Sequence, residues 1–136
     1  MNYFLTFIII GVASLSSCSS SISDIPMSGE TATGLDYELA LTDATVRSSV
    51  QLINVASRRQ GDMYVVEYQL YNADSLSEKR IEASWEWRDA SGISVGLGGT
   101  AQRARKYAMD SHGYLTINNS SPTNNVSSVV LRIKSQ

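Results

Sequence analysis

A single cysteine is the residue of this sequence best placed for covalent chemistry. Cys18 ends the run Leu15-Ser16-Ser17-Cys18, and Ser19 follows it. A thiolate is a strong nucleophile, and a leucine three positions before a cysteine, with small residues between them, is the pattern that bacterial lipoprotein processing recognises. We therefore predict that a diacylglycerol is transferred to the Cys18 sulfur and that the chain is cut before this residue.

The segment before Cys18 has the layout of a signal peptide. Its apolar run, residues 4–12, is about nine residues long, whereas a transmembrane helix needs about twenty. Two alternatives remain open: an ordinary secretory signal in which the cysteine is incidental, and an uncleaved anchor. A serine rather than an aspartate after the cysteine favours export to the periplasmic face of the outer membrane in a Gram-negative bacterium.

The domain organisation follows from this signal. We predict a signal peptide at residues 1–17, a lipidated flexible tether at 18–35 and a folded domain at 36–136. The tether is rich in Ser, Thr and Gly and has no periodicity, and its root-mean-square reach is about 23 Å. An alternative is that residues 35–42 pack as an edge strand or a short helix, and residues 36–49 fit either a strand or a helix.

The other residues with reactive or metal-binding side chains do not form a recognisable catalytic or metal-binding motif in the sequence. His112 is the only histidine, and a metal site needs three or four ligands, so we expect no metal, no cofactor and no catalytic residue. Glu82 and Glu86 lie on one strand face about 13 Å apart, which is too far for paired acid and base work. We interpret both as solvated.

One cluster of cations is a candidate binding patch. Arg103, Arg105 and Lys106, joined by Arg58 and Arg59, present the charge that an anionic envelope component would need. The alternative is that these charges are solvated and balanced by nearby acids. The glycine-rich segment 96–100 lacks the Lys-Ser/Thr of a phosphate loop and indicates a bulge or an edge.

The composition of the chain limits the classes of protein to which it can belong. The chain has 11 basic and 13 acidic residues and a net charge of −2, a balance that argues against nucleic acid as a partner. Its length after the signal fits one domain. With one cysteine there is no intramolecular disulfide, so the fold depends on apolar burial. The oligomeric state stays open.

The rest of the sequence predicts strands. Alternation places Tyr64, Val66, Tyr68 and Leu70 on one face of a strand, and the pattern from Ile81 to Arg88 places Trp85 and Trp87 inside. We expect these Tyr and Trp side chains in the core. The predicted strands are 50–57, 63–72, 81–88, 93–97, 114–118 and 126–134.

Turn signals separate these strands. Gly61-Asp62 predicts a hairpin turn, and in Asp89–Gly92 we expect the aspartate side chain to close the turn and the glycine to adopt a positive φ. Residues 101–109 fit a short helix or an irregular crossover. The pattern predicts an all-β protein: a single antiparallel β-sandwich, immunoglobulin-like, of about seven strands.

Residues 50–134 resemble the YcfL-like family of small periplasmic lipoproteins. The matching features are Asn72 at a strand end, the block from Trp85 to Gly92, Ser121-Pro122, and the apolar strand 129–133. The resemblance implies a compact β-sandwich in the periplasm and no assigned activity.

Three hypotheses for function follow. The first is a non-enzymatic, outer-membrane-anchored binding or accessory module, with the membrane held through the Cys18 lipid and an envelope protein or glycan as its partner. The second is a structural lipoprotein subunit of a larger envelope machine, such as a secretion or flagellar assembly. The third is an enzyme that acts on the cell wall or on lipid, which needs a convergent polar pocket.

The anchor is tested by Cys18→Ser. Because serine cannot replace the thiol as the acyl acceptor, we expect no acylation and an unprocessed precursor. Membrane fractionation and electrophoretic mobility measure both. A variant with unchanged membrane partition and size would contradict the lipidation.

Overall fold

The computed structural model describes residues 26–96 and 102–136, which form nine strands and one short helix. The strands lie at β1 (Ser28–Glu30), β2 (Asp36–Leu41), β3 (Val50–Gln60), β4 (Met63–Asn72), β5 (Lys79–Arg88), β6 (Ser94–Val95), β7 (Gln102–Met109), β8 (Tyr114–Ser120) and β9 (Ser128–Ser135). Helix α1 (Ala44–Ser49) joins β2 to β3.

The strands form two sheets. The larger sheet has the order β1-β2-β9-β5, and β6 and β7 pair in succession along the free edge of β5; the smaller sheet has the order β3-β4-β8. Apolar residues of both sheets form one core cluster. The all-β sandwich is confirmed.

Two features of the sandwich differ from the expected antiparallel, immunoglobulin-like layout. Strands β2 and β9 are parallel, with Tyr37 opposite Val129 and Leu41 opposite Ile133. In addition, the last strand, β9, lies inside its sheet between β2 and β5, whereas the last strand of an immunoglobulin domain lies at the edge of its sheet. Pairing between the two ends of the chain is non-local, and local alternation carries no information about it.

Aromatic side chains hold the two sheets together. Tyr68 of the smaller sheet packs edge-on against Trp85 and Tyr37 of the larger one, with ring centroids 5.4 and 6.2 Å apart. Tyr68, Trp85 and Trp87 are all buried, as alternation predicts, and Tyr64 is buried near the strand start. Burial raises the pKa of the Tyr68 phenol, which donates to the Glu38 carbonyl at 3.2 Å.

Two turns form as their residues predict. Gly61 has a φ of +62° between the paired residues Gln60 and Met63, a conformation that glycine adopts at little cost. In the turn after β5, the Asp89 side chain accepts the Ser91 and Ile93 N–H groups at 2.8 and 3.0 Å, and Gly92 has a φ of +78°.

Other expectations need correction. Residues 102–109 are strand β7 rather than a helix or crossover, because Tyr107 and Met109 pack against the core while polar residues tolerate an exposed sheet edge. Residues 36–49 contain both a strand and a helix, and the helix begins where the Asp43 side chain accepts the Val46 N–H at 3.1 Å.

The folded domain also begins earlier than residue 36. Strand β1 pairs with β2, and Leu35 is fully buried. Residues 28–35 of the predicted tether therefore belong to the sandwich, and residues 18–25 of it lie outside the described residues.

Core packing is tested by Trp87→Ala. Trp87 is 2 % exposed, so truncation removes a large buried surface and leaves a cavity, and we expect a loss of about 3–5 kcal/mol in the free energy of unfolding. Urea denaturation measures it. The control Ile93→Ala, at a side chain 64 % exposed, should change stability by less than about 0.5 kcal/mol. A Trp87→Ala loss under about 1 kcal/mol would show that the side chain is not core.

Candidate binding face

The lipidation signal lies outside the described part of the chain. Leu15, Ser16, Ser17, Cys18 and Ser19 are among residues 1–25, and the glycine-rich segment is described only at Gly96. The lipidation of Cys18 and the bulge or edge at residues 96–100 stay predictions.

The predicted basic patch is divided between two faces of one strand. Arg105 pairs with Ala83, which points into the core, and Lys106 pairs with Glu82, which points outward. Arg103, Arg105 and Lys106 are exposed along β7, where charges oppose pairing with a foreign strand. The structure brings the three to one edge but does not gather them into a single surface.

Arg58 and Arg59 lie far from that edge, on β3 of the other sheet. The Arg59 guanidinium lies 4.5 Å from the centroid of the Tyr64 ring, and its Nη2 donates to the Tyr64 hydroxyl at 2.9 Å. Arg59 is thus engaged within its own hairpin, and the two arginines do not extend a patch on β7.

The outer surface of the larger sheet, which we call the charged face, is occupied by ion pairs. Glu86 accepts from Arg88 Nε at 2.8 Å and from Arg132 Nη2 at 2.6 Å, and Glu82 lies 3.1 Å from Lys134 Nζ. Each carboxylate has its own cation, so Glu82 and Glu86 do not act as a pair. The Arg88 and Arg132 guanidinium groups lower the pKa of Glu86 to about 2.

A shallow depression lies on this charged face. Its volume is about 190 Å³, and Glu82, Ser84, Arg132 and Lys134 line it. The one carboxylate in this lining is that of Glu82, which is paired with Lys134. The depression therefore has the character of a solvated, self-neutralised surface.

Two buried polar residues of the family-like pattern fasten the fold. Asn72 is fully buried at the end of β4, and its Nδ2 donates to the carbonyls of Ser77, Met109 and Asp110 at 3.0–3.3 Å. Ser121 accepts the Tyr64 N–H at 3.0 Å through Oγ. These residues, like the Trp85–Gly92 block, stabilise the fold and do not form a binding or catalytic site.

An aromatic cluster lies at the exposed end of the smaller sheet. Tyr71 and Tyr114 are paired across β4 and β8, with ring centroids 4.9 Å apart, and the Tyr71 hydroxyl lies 2.7 Å from His112 Nδ1. Tyr114 is 60 % exposed. His112 is exposed in the turn between β7 and β8, with a φ of +54°.

The turn that carries His112 is held firmly in place. The His112 N–H donates to the Asp74 carbonyl at 3.3 Å, and the Gly113 carbonyl accepts the Asn72 N–H at 2.9 Å. A Cβ on Gly113 would lie 2.8 Å from the Asp110 carbonyl oxygen, so this position requires glycine. The cluster is thus positioned before any ligand arrives, which lowers the entropic cost of binding.

The outer surface of the smaller sheet, which we call the tyrosine–amide face, continues from this cluster. Strand register places one residue of each strand in every cross-row. Its members are mostly uncharged hydrogen-bonding side chains: Gln51, Asn54, Gln69, Tyr71, Tyr114, Thr116 and Asn118. Arg58 and Glu67 line a depression of about 130 Å³ farther along the same sheet.

This face can bind a polar, uncharged ligand. Amide groups both donate and accept hydrogen bonds, and tyrosine rings offer apolar area beside a hydroxyl. Tyr71 and Tyr114 are not among the site residues that the sequence predicts. The signal that was present is alternation, because residues next to the inward-facing Leu70 and Leu115 must face outward.

The described residues contain neither a metal-ligand cluster nor a membrane-spanning helix. Within 26–96 and 102–136, no group of three or more His, Cys, Asp or Glu side chains is arranged to hold a metal ion. Over the same ranges no helix has the length and apolar character needed to cross a bilayer.

The ion pairs of Glu86 predict a pH dependence of stability. Its folded pKa of about 2 lies below the ordinary value of 4.5, so its stabilising contribution is present above about pH 4.5 and is lost as the pH falls towards 2. Glu86→Gln should therefore flatten the decline of the thermal unfolding midpoint between pH 5 and 2, and Arg88→Gln should flatten it partly. An unchanged slope in both variants, with Asn118→Ala as the control, would contradict this.

Two solved structures share the fold. The crystal structure of Campylobacter jejuni cj0090 superposes with a TM-score of 0.59 at 12% identity, over 72% of this chain and 97% of that one. A DUF1425 family member from Shewanella sp. pv-4 gives a TM-score of 0.56 at 13% identity, over 64% of this chain and 78% of the other. No protein-family model and no curated protein matches the sequence. At these identities the likeness shows the fold alone.

Proposed function

We propose that this chain is a non-enzymatic lipoprotein, anchored to the periplasmic face of the outer membrane through Cys18, that binds another envelope component. The observation that carries the binding role is the contrast between the two outer surfaces. The carboxylates of Glu82 and Glu86 on the charged face are neutralised by their own cations, whereas the tyrosine–amide face presents the exposed Tyr114 ring and uncharged hydrogen-bonding groups.

Membership of the YcfL-like family is part of this proposal. The fold is similar to that of a DUF1425 family member. The residues that carry the resemblance also occupy positions that a shared fold would need: Asn72 is a buried link between the sheets, and Trp85 and Trp87 lie in the core. A pattern of this kind specifies a scaffold, so the activity depends on residues outside it.

The chemistry of the tyrosine–amide face favours a glycan as the ligand. A pyranose ring has an apolar face of C–H groups, which packs on an exposed aromatic ring such as that of Tyr114. Its hydroxyl groups match the donors and acceptors of Gln69, Thr116 and Asn118, which lie in neighbouring cross-rows of the sheet. Few charges lie on this face, so the ligand needs no compensating charge of its own.

Binding is tested by co-sedimentation of the purified chain with isolated cell-wall glycan. Tyr114→Ala removes the most exposed ring of the cluster without opening the core, and we expect at least tenfold weaker binding, a change of about 1.4 kcal/mol. Ser84→Ala on the charged face is the matched control and should bind as the unmodified chain does.

Three outcomes would contradict parts of this proposal. Equal binding by both variants would exclude the tyrosine–amide face as the site. Capture of an envelope protein through Tyr114, with no affinity for glycan, would exclude the ligand class. Release of soluble fragments from the glycan would show an enzyme rather than a binding module.

A further inference from the structure

We propose that the end of the sandwich that carries Leu76 rests on the membrane surface, with the Leu76 side chain inserted among the lipid headgroups. This inference rests on the proposed lipid anchor and adds an orientation to it. Leu76 is 92 % exposed, more than any other large apolar side chain in the described residues. Transfer of this side chain from water into the apolar part of a membrane interface is favourable.

The described chain begins at this same end. The Met27 carbonyl accepts the Leu39 N–H at 2.7 Å, which places Pro26 and Met27 beside the last residues of β2. Strand β2 ends at Leu41, and the Asp43 side chain that follows accepts the Ser135 N–H at 2.7 Å. The entry of the chain, the end of β2 and the end of β9 therefore lie together.

The loop that carries Leu76 belongs to this end as well. Ser135 is paired with Ile81 near the start of β5, and the loop 73–78 leads into that strand. The Ala73 N–H donates to the Ser49 carbonyl at 2.7 Å, which joins the loop to the end of α1. Leu76 and Pro26 thus project from one end of the sandwich, and the turns at Gly61 and Gly92 lie at the other.

The loop is held rigidly behind its tip. Asp74 Oδ1 accepts the Leu76 N–H at 2.9 Å, and Asp74 Oδ2 accepts the Ser77 hydroxyl at 2.8 Å. The same carboxylate lies 2.8 Å from Lys79 Nζ, so its charge is neutralised, and these contacts lower the pKa of Asp74. An exposed apolar side chain on a locked, charge-balanced turn loses little entropy when it enters an interface.

A second apolar side chain is exposed at this end. Met27, beside the point where the chain enters the domain, is 44 % exposed. It adds apolar area at the same end of the sandwich as Leu76.

The length of chain between the Cys18 lipid and the domain limits how the domain can be oriented on the membrane. Seven residues lie between Cys18 and Pro26, and the eight residue steps that they create span at most about 28 Å when the chain is fully extended. Strand β3 has 11 residues and is about 36 Å long. A lipid on Cys18 therefore cannot allow the domain to stand on its opposite end, where Ile93 is exposed.

The orientation is tested by spin-label depth measurements on the lipidated chain. Once Cys18 is acylated, the chain contains no other cysteine, so Leu76→Cys provides one attachment site. Ile93→Cys is the matched control, because it is also an exposed apolar turn residue but lies at the far end. The protein is bound to vesicles of phosphatidylethanolamine and phosphatidylglycerol, and the accessibility of each label to oxygen and to a water-soluble nickel chelate is compared.

We expect the label at position 76 to be more accessible to oxygen than to the nickel chelate, and the label at 93 to show the reverse. A label at 76 that is as exposed to nickel as the label at 93, on protein that floats with the vesicles, would overturn the orientation and leave the anchor intact. Failure of the chain to float at all would instead overturn the lipid anchor. Shielding of position 76 from both reagents would indicate a protein partner and would also contradict insertion into lipid.

Discussion

The aromatic contact between the two sheets is the interaction on which the rest of this structure depends. With a single cysteine, the chain has no intramolecular disulfide to supplement its core. Tyr68 of the smaller sheet packs between Tyr37 and Trp85 of the larger one, and this packing fixes which face of each strand points inward. Because strand side chains alternate, the same packing determines the residues presented on both outer faces.

Two polar side chains, Asn72 and Asp43, add specific hydrogen bonds to this apolar core. Asn72 bonds to backbone carbonyls at the end of β7 and in the loop after β4, so one amide links the two sheets and shapes the loop that carries Leu76. Asp43 performs a similar task, since it begins α1 and also binds Ser135 at the end of β9. The end of the sandwich where the chain enters is therefore built from several mutually supporting contacts.

Much of the fold can be predicted from the sequence because it depends on residues that are close together in the chain. The bounds of β4, the inward position of Trp85 and Trp87, and the Asp89 turn all follow from alternation and turn chemistry. The parallel pairing of β2 with β9 and the edge position of β7 are not readable in this way, since both depend on residues distant in the chain. Strand β7 also carries Arg105 opposite the inward-facing Ala83. An edge strand tolerates a charged residue at such a position, and a central strand does not.

The candidate site was harder to predict than the fold for a physical reason. The residues of the family-like pattern are those that a scaffold needs, and the structure shows them buried or engaged in turns. Tyr71 and Tyr114 belong to no recognisable motif, and they become a surface only when β4 and β8 pair in register. Tertiary register thus creates the tyrosine–amide face, and it separates Arg105 from Lys106 on β7.

The central claim is that the two outer faces have different roles, and in-cell photo-crosslinking tests it most directly. A photoreactive amino acid is placed at Thr116 on the tyrosine–amide face, and in a second strain at Ser84 on the charged face. We predict crosslinks to an envelope component from position 116 and none above background from position 84. Crosslinks from position 84 alone, or equally from both positions, would contradict the division of roles.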